Sequence, residues 1–336
     1  MKRILSLVAF LLVAFGPALA QQRPQYSQYM MNNYLLNPAL TGIEDYADVR
    51  FGHRQQWVGL EGAPVTYYVS AHMPIGKQAT RVRNRGRGIA STRTVNRNRF
   101  STPYAHHGFG LTALTDKTGP LRQSNFTGSY AYHLPLSTKV SISTGVTAGV
   151  LSRSFNPQEA TFTNPFDPSI NSDYINNAYF DLGLGTWLYS ETFFVGLSGA
   201  QLIKNRRDLN AAEGDGNGGA RLQRHFFVTG GYKIRVTPNF NVIPSVMVKL
   251  ASPSPVSVDV NLKAVYADRV WAGASYRKDD AFSAMGGINI SHIMDVGYAY
   301  DFNTSNLSIA NTGSHEIIVG LKLFNTNKVI CPRWMQ

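Results

Sequence analysis

The stretch VSISTGVTAGV, residues 140–150, decides the fold. Successive side chains of an extended chain point to opposite sides. Val140, Ile142, Thr144, Val146, Ala148 and Val150 therefore share one face, and Ser141, Ser143, Gly145, Thr147 and Gly149 share the other. The pattern returns downstream, where Val256, Val258, Val260, Leu262 and Ala264 alternate with Ser257, Asp259, Asn261 and Lys263. Met294, Val296, Tyr298, Tyr300 and Phe302 alternate with Asp295, Gly297, Ala299 and Asp301, and Ile317, Val319, Leu321 and Leu323 with Glu316, Ile318, Gly320 and Lys322. A strand that shows lipid on one side and a polar lumen on the other has this period. A soluble β-sandwich alternates too, but it carries charge on the outer face and short loops at both ends. Here the polar face mixes glycine, serine and isolated charges. The short turns HLPLSTK (133–139), YSET (189–192), VTPN (236–239) and ADR (267–269) alternate with long connections near 152–177, 203–223 and 302–313.

The amino-terminal residues fix the compartment. Lys2 and Arg3 precede the apolar stretch Ile4 to Phe15, followed by Gly16, Pro17 and Ala18-Leu19-Ala20. That is the layout of a cleaved signal peptide, residues 1–20, with the mature chain expected to start at Gln21. Cys331 is the only cysteine, so no internal disulfide forms, and no cysteine near the cleavage site marks a lipoprotein. Charged residues make up 15% of the chain and aromatics 12%. The charged share is low against the roughly 25% of soluble domains. An exported, aromatic-rich, charge-poor chain with strand periodicity points to the outer membrane. The expected fold is all-β: a transmembrane up-and-down antiparallel barrel of about fourteen strands spanning residues 47–325, with a 326–336 tail and both termini periplasmic.

Within that frame a strongly basic segment stands apart. Between Glu61 and Asp116 there is no acid, while Lys77, Arg81, Arg83, Arg85, Arg87, Arg93, Arg97 and Arg99 supply most of the net charge of +12. The segment 75–104 follows the second strand and is expected in the periplasm. It reads either as a solvated loop extended by like charges or as a docking arm for an acidic protein or for lipid headgroups. Nucleic acid does not suit that compartment. Strand phase turns Arg50, Arg54, Lys233, Arg235, Lys249, Lys263, Arg277 and Lys322 inward with Asp48, Asp181, Asp259, Asp295, Asp301 and Glu316. An isolated charge facing lipid would be costly. These groups either pair across the lumen or line an aqueous pore.

No catalytic, cofactor or metal constellation is legible. GLSGA (196–200) lacks the last glycine of a nucleophile elbow and lies within a strand. His106 and His107 point to opposite faces, and the other histidines show no pairwise spacing. EGDGNGG (213–219) lacks the distal glutamate of a calcium loop. In the 21–46 segment Tyr26, Tyr29, Met30, Asn33, Tyr34 and Asn37 recur at helical spacing before Pro38. This predicts a short amphipathic helix or plug at the periplasmic mouth. Trp57, Gly59, Gly62 and Pro64 predict a tight first outer turn.

PQYSQYMMNNYLLNPALTG (24–42), HRQQWVGLEGAPVTYYVSAHMPIGK (53–77), HGFGLTALTDKTGP (107–120) and SYAYHLPLS (129–137), continuing through FDLGLGTWLYS, FVGLSGAQL and the terminal CPRW, resemble in order and spacing the PorP/SprF family of type IX secretion membrane proteins. The residues that carry the resemblance include Asn37, Pro38, Arg54, Trp57, Gly62 and Pro64. The resemblance implies an outer-membrane barrel that works with the type IX machinery in the export or surface attachment of a cognate secreted protein such as an adhesin. The alternative is a channel for small or amphipathic solutes.

Overall fold

A computed structural model describes residues 26–76, 104–160, 175–203, 223–251, 254–278, 280–304, 311–326 and 329. Fourteen antiparallel strands close into a barrel. They are β1 Ala47–Gln55, β2 Val65–Ile75, β3 His106–Thr118, β4 Leu121–Pro135, β5 Val140–Phe155, β6 Ile175–Ser190 and β7 Phe193–Ala200, then β8, β9 Phe240–Leu250, β10 Ser257–Tyr266, β11 Val270–Arg277, β12 Ala281–Asn289, β13 Met294–Asn303 and β14 Ser314–Leu323. β8 has two arms, His225–Tyr232 and Ile234–Thr237, interrupted at Lys233, and both pair with β9. Each strand pairs with its sequence neighbour. Closure comes from β1 on β14, in register from Ala47↔Leu323 to Gln55↔His315. Closure leaves no sheet edge, which is what lets a β-structure cross a bilayer.

The period-two pattern sorts the side chains as polarity demands. Phe51, Val69, Leu111, Phe126, Val150, Phe180, Leu197, Val260 and Ile317 stand exposed on the outer wall, where a bilayer covers them. Outward aromatic and histidine rings pair at the two rims: His53 stacked on Tyr67 and Tyr300 edge-on to His315 at one, and His107 tilted against Tyr132 at the other. Such rings suit the membrane interface. No helix among the described residues is long and apolar enough to cross a membrane.

The two mouths differ. One, here the near mouth, holds the start of β1, the end of β14 and the connections between β2 and β3, β4 and β5, and β6 and β7. The far mouth holds the β1–β2, β3–β4, β5–β6, β7–β8 and β13–β14 connections. β4, β5 and β6 are 15, 16 and 16 residues long, whereas β7 is 8. The paired part of β6 with β7 covers only Leu184 to Tyr189, so β6 continues past β7 toward the far mouth.

The amino-terminal segment is not an amphipathic helix at the periplasmic mouth. It forms three 3-10 turns, Gln28–Met30, Asn33–Leu35 and Pro38–Leu40, and it runs inside the lumen. Tyr26 and Ser27 lie near the far mouth, beside Arg54, Asp301 and Glu316, each within a few residues of its strand's far end. Thr41 and Gly42 lie near the near mouth, against His72, His106 and His133. The described chain thus starts near the mouth opposite to that where β14 ends. A continuous helix loses to this path because each turn has a different wall to satisfy, and because Asn37 and Pro38 start a new turn with Pro38 at its first position.

Candidate functional site

The lumen is the candidate site, and its wall is built to receive residues 26–46. Asn37 lies deepest in the sequence logic. Its Nδ2 donates to the carbonyl oxygens of Thr186 on β6 at 3.0 Å and Leu197 on β7 at 3.2 Å, while its Oδ1 accepts from Ala39 N–H at 3.0 Å and caps the Pro38–Leu40 turn. Space for this comes from glycines. A Cβ on Gly185 would stand 2.0 Å from Asn37 Oδ1, and one on Gly145 would stand 2.4 Å from the Pro38 carbonyl oxygen. Gly108 plays the same part for Thr41, whose carbonyl oxygen would lie 1.9 Å from an added Cβ. Glycine inside a strand commonly marks such a close approach of another backbone.

Around this groove the contacts run from mouth to mouth. Ser27 N–H donates to Glu316 Oε2 at 2.7 Å and Ser27 Oγ to Asp301 Oδ2 at 2.6 Å. Arg54 binds both acids, at 2.7 Å to Asp301 and 3.2 Å to Glu316, and donates to Ser27 Oγ at 2.9 Å. Lower down, Asn261 donates to the Tyr29 hydroxyl, Asn32 donates to Ser70 Oγ at 2.8 Å, and the Tyr34 hydroxyl pairs with Ser129 at 2.6 Å. Ser143 and Ser198 donate to the carbonyl oxygens of Ala39 at 2.8 Å and Leu36 at 2.7 Å. Between these polar anchors Met30, Met31, Tyr34, Leu40 and Ile43 pack on Trp187, Phe194, Phe227, Met247, Val265, Trp271 and Met285. The lumen of this barrel is a packed core.

Near the near mouth three histidines from adjacent strands hold one dipeptide. His72 Nδ1 accepts from Gly42 N–H at 3.2 Å, His106 Nε2 lies 3.1 Å from the Gly42 carbonyl oxygen, and His133 Nε2 lies 2.8 Å from that of Thr41. The rings of His106 and His133 stack with centroids 4.3 Å apart. Sequence spacing missed this clamp because the histidines are neighbours across strands, through the register His106↔His133, and not along the chain. Among the described residues no cluster of three or more His, Cys, Asp or Glu side chains could hold a metal ion.

The charged residues singled out by strand phase divide into groups. Arg54, Asp301 and Glu316 form the far-mouth layer already described. Arg50 pairs with Asp48 at 3.0 Å and Asp295 at 3.4 Å, and Lys322 with Asp295 at 3.2 Å, all of them buried. Asp259 pairs with Lys249 at 2.8 Å and Arg277 at 3.2 Å, and Arg277 also binds Asp280 at 2.9 Å. Lys263 is buried with its ammonium 4.8 Å from the Trp271 ring centroid and 3.1 Å from Met31 Sδ. Asp181 is buried on β6 and accepts from Asn125 Nδ2 at 3.2 Å. Lys233 is half-buried at the break in β8, and Arg235, exposed in the second arm near the near mouth, pairs with the buried Asn241 of β9 and so keeps the inward phase. The register against β9 is the same on both sides of Lys233, from Ser245↔Gly231 to Asn241↔Arg235, and the irregularity lies beyond Arg235, between Asn241 and Phe240.

Of the residues carrying the family resemblance, Asn37, Pro38 and Arg54 belong to this lumen core. Trp57, Gly62 and Pro64 shape the β1–β2 turn, in which Trp57 has φ 46° and its N–H donates to Ser314 Oγ at 3.1 Å, and Gly62 has φ 70°. The cations Lys77, Arg81, Arg83, Arg85, Arg87, Arg93, Arg97 and Arg99 lie outside the described residues.

A profile for the type IX secretion system membrane proteins PorP/SprF matches residues 18–321, nearly the whole chain. The chain belongs to the PorP/SprF family. This PorP/SprF member is an outer-membrane β-barrel of a secretion system. No curated protein matches it. Solved structures similar to it include the CymD monoaromatic hydrocarbon channel, at 16% identity over 89% of this chain and 93% of that one with a TM-score of 0.47. The Pseudomonas putida toluene transporter TodX is similar at 11% identity, 86% and 92% coverage and a TM-score of 0.47. The translocator domain of the autotransporter NalP from Neisseria meningitidis is similar at 10% identity, 83% and 88% coverage and a TM-score of 0.41.

Proposed function

We propose that this barrel holds a partner protein of the type IX machinery and supports the secretion or surface attachment of one cognate cargo, such as an adhesin. The observation that carries this reading is the filled lumen. Residues 26–46 cross it from mouth to mouth, anchored by Ser27, Asn37 and Gly42 and packed in the apolar core. A solute channel needs a continuous aqueous path, and a barrel whose interior is occupied by its own chain is better suited to presenting its mouths to a protein. In the orientation we propose, residues 1–20 are removed as a signal peptide, the near mouth and the 326–336 tail face the periplasm, and the far mouth faces outward. The position of Tyr26 and Ser27 near the far mouth argues against a periplasmic start for the described chain. Lys77, Arg81, Arg83, Arg85, Arg87, Arg93, Arg97 and Arg99 would then lie on the periplasmic side, where eight cations attract an acidic component of the machinery.

The test is a deletion strain. Loss of display or secretion of one surface protein with an intact envelope is expected, and normal display of every exported protein overturns the reading. Replacing the seven arginines from Arg81 to Arg99 by glutamine should leave the barrel inserted while reducing co-purification of periplasmic partners. The loss should resemble the effect of raised salt on the unaltered protein, since screening shortens the reach of such attraction.

A further inference from the structure

The segment in the lumen leaves one corner open. On the far-mouth side, where β4, β5 and β6 rise past the end of β7, a small cavity of about 60 Å3, large enough for an ammonium group, lies between the wall and residues 26–38. Thr112, Gln123, Thr127, Thr147 and Gln201 supply hydroxyl and amide groups to its lining, and Asp181 and Asn125 stand side by side within it. Asp181 is only 7% exposed. One carboxylate oxygen accepts from Asn125 Nδ2 at 3.2 Å, while among the described residues the other, Oδ1, has no hydrogen-bond partner, and neither has Asn125 Oδ1.

Asp181 differs in this from the paired acids of the lumen. Asp48, Asp259, Asp295, Asp301 and Glu316 each face an arginine or lysine at 3.4 Å or less. Asp181 has no cation at ion-pair distance among the described residues. A buried carboxylate without a counter-charge is costly. We propose that the Asp181–Asn125 corner is a binding site for a primary ammonium group entering from the far mouth, carried by a lysine side chain of an extended polypeptide. A primary ammonium brings three donors and no acceptor, and the corner offers two unpartnered oxygens ringed by hydroxyls. A hard divalent cation would want six or more oxygen ligands, which this corner lacks. The surrounding amides and hydroxyls are groups that can meet the peptide bonds flanking such a lysine. The site goes beyond the secretion role and does not depend on it.

Calorimetric titration of the full-length barrel in nanodiscs tests this. Three probes serve: a capped glycine-serine pentapeptide with one central lysine, the same peptide with norleucine in its place, and n-butylammonium. The lysine peptide should bind at least about tenfold more tightly than the norleucine peptide, the difference expected for roughly 1.4 kcal/mol. Asp181→Asn, which keeps the shape and an acceptor for Asn125, should abolish that difference while heat-modifiable migration reports an intact barrel. Thr147→Lys places a tethered ammonium on the same lumen face one register step away, opposite Gly183, and should exclude the lysine peptide. If n-butylammonium binds as well as the peptide, the ammonium site stands and its source is a small amine. If only the lysine peptide binds, the source is a polypeptide. Binding unchanged by Asp181→Asn, or no binding of any ammonium probe, overturns the proposal. Neither result alters the deletion phenotype on which the secretion role rests.

Discussion

Replacing Asn37 by alanine should loosen the lumen segment without dissolving the barrel. The side chain donates to the Thr186 and Leu197 carbonyl oxygens and accepts from Ala39 N–H. Each donation contributes about 0.5–1.5 kcal/mol net. Loss of a helix-type cap costs about 0.5–2 kcal/mol. The strand carbonyls are near their ladder partners, so their loss falls at the low end, and the whole change comes to about 1.5–3 kcal/mol of docking free energy. Hydrogen exchange reads this directly. The amides of Leu40 and Thr41 are bonded to the carbonyls of Asn37 and Pro38 at 3.2 and 3.1 Å and should be freed only when the segment opens. Their exchange in N37A should accelerate by roughly 10- to 150-fold, while strand amides of β9 to β13 keep their protection. Unchanged exchange at Leu40 and Thr41 would show that Asn37 does not anchor the segment. It would also remove the reason offered for glycine at 145 and 185.

Further outcomes follow from the same contacts. Arg54→Leu leaves Asp301 and Glu316 buried without their cation and takes a partner from Ser27. It should destabilise the closure between β1 and β14 by about 3–5 kcal/mol, seen as a lower temperature for loss of heat-modifiable migration. Gly185→Val puts a side chain 2.0 Å from Asn37 Oδ1, so it should expel the segment and increase proteolysis within residues 26–46, whereas Gly128→Val, at a position where an added Cβ meets nothing nearer than 3.8 Å, should not. In a cysteine-free background, a cysteine at exposed Glu61 should be labelled on intact cells and one at Ser137 only after permeabilisation, and reversed accessibility would invert the proposed orientation.

The barrel wall was legible because its signal is local. Each strand must alternate on its own, and Val140 to Val150 or Ser257 to Tyr266 do so whatever their neighbours are. The fate of residues 26–46 was not legible from the same logic. Tyr26, Tyr29 and Tyr34 have the spacing of a helix face, but each turn answers to a different part of the wall, and the wall surrounds the segment. A trace existed in the sequence: Gly108, Gly145 and Gly185 fall on the polar, inward phase of their strands, where the close approach of a second backbone requires them. The inward charges were readable by phase, yet their partners depend on register, as in Arg54↔Glu316 across the closing pair. The same holds for the histidine clamp, which the pairing His106↔His133 assembles.

Single-channel recording in planar bilayers tests the closed lumen most directly. The intact protein, inserted at densities confirmed by heat-modifiable recovery, should hold the current at baseline. The Gly185→Val variant at equal density should open steady ohmic conductance, because its segment can no longer occupy the groove lined by Gly145 and Gly185. A steady, equal conductance from both proteins would contradict the account and favour a solute channel.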